Sequence, residues 1–263
     1  MNNYNVLYVN KKILVKGNSI PTVILAKAAY EANEYLQNIH SIFQDKNINL
    51  FEALGVTNIS ATVGEIYARF LCKQLSGELV SNPHPDGRPD VLTLFSKEAK
   101  NYYLKECFET KKTKKVPIKS KLTPFKFGGI EIKCTIGNFT KNKVEKYLKE
   151  IYNTESFPIG AQRVKFLENI NWVAHHVQDV QLLGLYYDYV PECNNAPQVI
   201  AGFFDTLDAS SWNPVSHGSA DKKTTSMTSI NSKAQKELKR NCVFMIDIEL
   251  YKNKLSEIGV EMK

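Results

Sequence analysis

Glu131 and Lys133 stand two residues apart in the run Gly128-Gly129-Ile130-Glu131-Ile132-Lys133-Cys134-Thr135-Ile136. Alternate side chains of an extended strand leave the same face, so the carboxylate and the ammonium project together, roughly 7 Å apart along the strand, with Thr135 beyond them. Ile130, Ile132, Cys134 and Ile136 take the other face. An acid in such a pair can hold a hard cation, and the amine beside it can position a water. Acid-x-Lys triplets also begin at Glu98, Glu109, Asp221, Glu237 and Glu261. By sequence those are expected in helical, loop or terminal stretches, Glu109 where a helical run passes into a lysine cluster. Only Glu131 lies in a β-alternating run introduced by a glycine pair, where the backbone can bend close to a ligand. Upstream, Pro89-Asp90-Val91-Leu92-Thr93-Leu94-Phe95 reads as a second short strand with an acid at its start. The rival Pro85-Asp86 pair precedes Gly87 and reads as a turn.

Asp90, Glu131 and Lys133 together resemble the signature of the PD-(D/E)xK nuclease superfamily. Within it the chain looks most like a bacterial type II restriction endonuclease. The resemblance implies an α/β fold, a mixed central β-sheet flanked by helices in a restriction-endonuclease-like core. It further implies Mg²⁺ held by Asp90, Glu131 and the Ile132 carbonyl, with Lys133 activating the attacking water. Some members add a glutamate from a helix, and Glu65 is the candidate. Double-stranded DNA is the implied substrate and a homodimer the implied assembly, with a DNA methyltransferase as functional counterpart in a restriction-modification system. A repair or junction nuclease of the same fold and a non-catalytic nucleic-acid-binding protein are the competing readings.

These residues need elements to hold them. After short strands at residues 6–8 and 13–15, helices are expected over residues 21–43 and 60–75. Apolar residues recur at helical intervals in both, Pro21 suits a first turn, and the Ser60 hydroxyl is a candidate cap. On the second helix Glu65 lies beside the small Ala61 and Ala68 and so can approach a neighbour. Strands follow at residues 78–80 and 90–95, then the Glu131 strand, a helix over 141–152, a strand at 180–187 that reads as buried on both faces, its partner at 198–204, and a last strand at 242–250. Helix, strand, strand, strand, helix, strand is the order the resemblance implies.

The 263 residues, 43% apolar, suffice for one domain, and no repeat or linker divides them. The five scattered cysteines lack the spacing of a zinc site or a disulfide scaffold and read as reduced thiols. With no signal-like start and no long apolar run, a cytoplasmic protein is expected. A net charge of +7 points to an anionic partner. Lys111, Lys112, Lys114, Lys115, Lys119, Lys121 and Lys126 cluster between the two motif strands and are expected to touch phosphate. Residues 205–241 form a hydroxyl- and amide-rich segment, in which Asn213, Lys222, Lys223, Thr224, Thr225, Ser226, Thr228 and Asn231 could read base edges. The adjacent His175 and His176 would point to opposite faces and make a poor metal pair. Trp212 reads as packing rather than as a base-stacking platform.

Overall fold

The computed structural model describes residues 5–122, 126–175, 179–216 and 227–262. Seven strands, β1 (Val6–Tyr8), β2 (Leu79–Ser81), β3 (Val91–Thr93), β4 (Gly129–Thr135), β5 (Val180–Val190), β6 (Ala196–Leu207) and β7 (Cys242–Ile246), form one central sheet in the order β1-β7-β6-β5-β4-β3-β2. Only β4 and β5 pair in parallel; every other neighbouring pair is antiparallel. The sheet is therefore mixed. The parallel pair needs a crossover, and it contains the helix α3 (Lys141–Ile151).

Helices α1 (Thr22–Gln44) and α2 (Val56–Gln74) cover one face of the sheet, against Ile130, Ile132, Leu183, Leu185, Tyr187, Val199 and Phe244. Helices α4 (Ser232–Arg240) and α5 (Glu249–Glu257) cover the other, against Leu182, Tyr186, Ala201, Phe203 and Met245. With both faces covered, β5 is buried along nearly its whole length, as its unbroken apolar run demands. None of the helices among the described residues is long and apolar enough to cross a membrane.

Several local expectations change. Helix α2 begins four residues before Ser60, after Gly55, and Ser60 is not a cap. Its hydroxyl donates to the Val56 carbonyl and meets the Tyr187 hydroxyl at 2.9 Å. Pro21 precedes α1 as the N-cap instead of entering its first turn. The strand expected over 242–250 ends at Ile246, because residues from Glu249 onward turn Tyr251 and Leu255 inward with helical spacing. Residues between β3 and β4 build a small unit of their own. It has a helical stretch over residues 97–106, a hairpin of Phe108–Lys111 with Lys114–Pro117, and a helical turn at Lys119–Leu122.

Candidate active site

Strand β3 pairs with β4 only at Val91↔Ile130 and Leu92↔Gly129. Beyond Ile130 the two chains part, leaving the edge of β4 open while its other edge stays paired with β5 through Thr135. Asp90 sits in the notch. Its Oδ2 accepts the Ile132 amide at 2.7 Å, replacing the ladder bond that β3 no longer supplies. Gly129 makes this closeness possible. With φ +152, a side chain there would put its Cβ 2.1 Å from Pro89 Cγ and 2.6 Å from the Val91 carbonyl.

Glu131 is 2% exposed and its Oε1 accepts from Lys133 Nζ at 2.7 Å. Its second oxygen, Oε2, is buried with no hydrogen-bond partner, and an ionised oxygen in that position is costly unless something else meets it. Burial, and after it the Glu131 carboxylate, push the Asp90 carboxyl up to about 6, against the pull of Lys133, the Ile132 amide and Arg88. Two carboxylates thus share a notch that has too little positive charge. Burial, with Asp90 adding to it, also raises the Cys134 thiol and keeps it protonated.

The notch opens into a cleft of about 770 Å³ walled by Asp90, Ile132, Lys133 and Cys134, by the small-residue side of α2, and by residues 81–85, 87 and 88. Glu131 itself stays behind Lys133 and does not line the cleft. The α2 wall brings in Ala61, Gly64, Glu65, Ala68 and Arg69. Gly64 lets the helix come close, since a Cβ there would lie 3.1 Å from Cys134 Sγ. Glu65 therefore lines the same cleft as Asp90, on the side where its small neighbours allow approach. Arg69 and Arg88 join them, with His84 and His175. Arg69 and Arg88 carry no role in the sequence reading. Arg69 follows Glu65 by four residues and Arg88 precedes Asp90 by two, spacings that could have marked them.

Among the polar-segment candidates, Asn213 is exposed and its Nδ2 donates to Ser229 Oγ at 3.0 Å. Thr228 is 4% exposed and its hydroxyl donates to the Asn213 carbonyl, which turns it inward. The Asn231 side chain is occupied at both ends, capping α4 through the Ala234 amide and donating to the Ser210 carbonyl at 2.7 Å. Structural bonding, not an open polar edge, is what Thr228 and Asn231 present. Lys222, Lys223, Thr224, Thr225 and Ser226 lie outside the described residues, as does His176. The segment nonetheless meets the site. Thr228–Ser229 pairs with Val173–Ala174, and Met227, Val173 and His175 line the cleft. Trp212 is 6% exposed and packs in the core beneath α4.

No group of three or more His, Cys, Asp or Glu side chains converges tightly among the described residues. Two carboxylates nevertheless suit Mg²⁺, which prefers oxygen ligands and keeps several waters. The orphaned Glu131 Oε2 and the raised Asp90 carboxyl are what such an ion would relieve. Comparison with protein-family models, curated proteins and solved structures returns no match.

Proposed function

We propose that this chain is a Mg²⁺-dependent, site-specific endonuclease of the PD-(D/E)xK kind, hydrolysing phosphodiester bonds of double-stranded DNA as type II restriction endonucleases do. The observation that carries the reading is the notch. Asp90 is tied to the amide of the residue between Glu131 and Lys133, at the open edge of a strand, inside a cleft that also holds Arg69 and Arg88. The element order supports it as well, since α2, β2, β3, β4, α3 and β5 follow the helix, strand, strand, strand, helix, strand succession.

Asp90 and Glu131 would hold the ion. When bound, Mg²⁺ neutralises charge at the scissile phosphate and makes a water more acidic. Lys133, anchored by Glu131 and lining the cleft, orients the attacking water. Glu65 faces the same space from α2 and can accept a proton or support a further ion. Arg69 and Arg88, lining the same cleft as Asp90, meet the negative phosphates, since a guanidinium fork matches phosphate oxygens. The polar segment, through the exposed Asn213 and the polar side chains at 222–226 in the sequence, supplies base readout. A methyltransferase of the same specificity would protect the host DNA.

Plasmid digestion with Mg²⁺, followed by sequencing of the fragment ends, tests the reading. Defined ends are expected, and Asp90→Asn and Glu131→Gln should each lower the rate by at least about 100-fold. Random ends would favour a nuclease of the same fold that reads DNA shape. Wild-type protein that binds duplex but never cuts it would leave only a nucleic-acid-binding role.

A further inference from the structure

The hairpin Phe108–Lys111 with Lys114–Pro117 breaks two local rules at the same spot. Lys111 and Lys114 are direct cross-strand partners, and like charges facing one another across a ladder destabilise it. The turn between them places Lys112 at φ +58, a left-handed conformation that Asn or Gly adopts more cheaply. Lys115 follows, and all four lysines are exposed. One pairing, Lys111 with Glu109 at 2.8 Å, offsets the repulsion only in part. Folding gains nothing from a lysine at each of these places. Local rules fail where a partner compensates for them.

The platform under the hairpin is firm and attached to the cleft. Leu92, Leu94, Ala99, Tyr103, Cys107 and Leu122 form a separate small core against which Phe108 packs. The Leu122 carbonyl accepts the Arg88 amide at 3.1 Å and the Asn82 side chain at 3.1 Å, and Lys119 pairs with Asp86 at 3.1 Å. Asn82 and Arg88 line the cleft. The basic ribbon is thus fixed to the same loop that delivers Asp90.

We infer that this hairpin is a duplex-gripping arm: Lys111, Lys112, Lys114 and Lys115 bind the phosphate backbone of DNA lying in the cleft, independently of sequence. The inference rests on the nuclease reading for its partner. A two-stranded ribbon has the width of a duplex major groove, and four lysines neutralise phosphates whose counterions are then released.

The test measures duplex binding without Mg²⁺, across a salt series, for wild type and for a variant with all four lysines changed to Gln. The variant should bind cognate and unrelated duplexes more weakly by the same factor, with a log-log salt slope shallower by roughly three to four. Lys112→Asn serves as a second variant. It should raise thermal stability by relieving the turn while weakening duplex binding, a combination that a purely structural turn cannot produce. Unchanged affinity and slope in the fourfold variant would overturn the arm and leave the nuclease reading standing. So would a loss confined to anionic phosphatidylserine vesicles, which would make the ribbon a lipid-binding element. Wild-type protein that grips duplex through these lysines but never cuts it would spare the arm and remove the nuclease.

Discussion

Beyond the water-positioning role proposed for it, Lys133 is the charge that compensates a nearly inaccessible Glu131. Breaking such a pair from one side leaves a buried charge without a counterion. Lys133→Ala is therefore expected to cost roughly 2 to 4 kcal/mol of stability, while Glu131→Gln, which still accepts from Lys133, costs much less; urea unfolding of both variants decides it. Loss of cleavage in Lys133→Ala alone would not identify a catalytic role. Asp90 adds a pH signature. Its carboxyl, raised from 3.8 to about 6, binds its proton more tightly in the folded chain, so its contribution to stability is present below about pH 4 and lost as pH rises through 6. Asp90→Asn should accordingly melt higher than wild type at pH 7.5 and no higher at pH 4. Mg²⁺ should raise the melting temperature of wild type and leave the Asn variant unmoved; equal shifts in both would place the ion elsewhere.

At the scale of elements, the junction of β3 and β4 decides the site. Gly129→Ala forces a Cβ into Pro89 and the Val91 carbonyl, so the strands must separate where Asp90 meets the Ile132 amide. A loss of about 2 to 4 kcal/mol is expected, together with loss of the Mg²⁺-induced melting shift; retention of both would mean that the notch tolerates a wider junction. The polar segment divides in a similar way. Asn231→Ala removes a helix cap worth about 1 kcal/mol and should weaken binding to all duplexes alike. Asn213→Ala, at an exposed position beside Ser229, should discriminate among base pairs. Competition binding against a panel of single-base variants separates the two, and a uniform loss for Asn213→Ala would remove it from readout.

For the whole molecule, each chain carries one Asp90/Glu131/Lys133 set and no internal repeat that would supply another. On the proposed nuclease reading, cutting both strands in one binding event is expected to take two chains related by a two-fold axis. Sedimentation with a short cognate duplex should give two chains per duplex, and one chain per duplex with concerted double-strand cutting would rule the dimer out. The chain's own periodicities determined a good deal: the face shared by Glu131 and Lys133, Asp90 at the head of an apolar strand, the doubly buried β5, the helix between β4 and β5, and the small side of α2 that carries Glu65. Alternation and helical spacing encode which side of an element is apolar, and that is local information. What only the tertiary structure decided is where strand pairing stops. Parting of β3 from β4 after Ile130 opens the notch and leaves Glu131 buried behind Lys133, and the packing of α2 brings Arg69 to the cleft that Asp90 lines. It also took the fold to turn the lysine cluster into a ribbon on its own small core and to commit Thr228 and Asn231 to internal bonds. Those outcomes depend on contacts between residues far apart in the chain, which no spacing within one segment records.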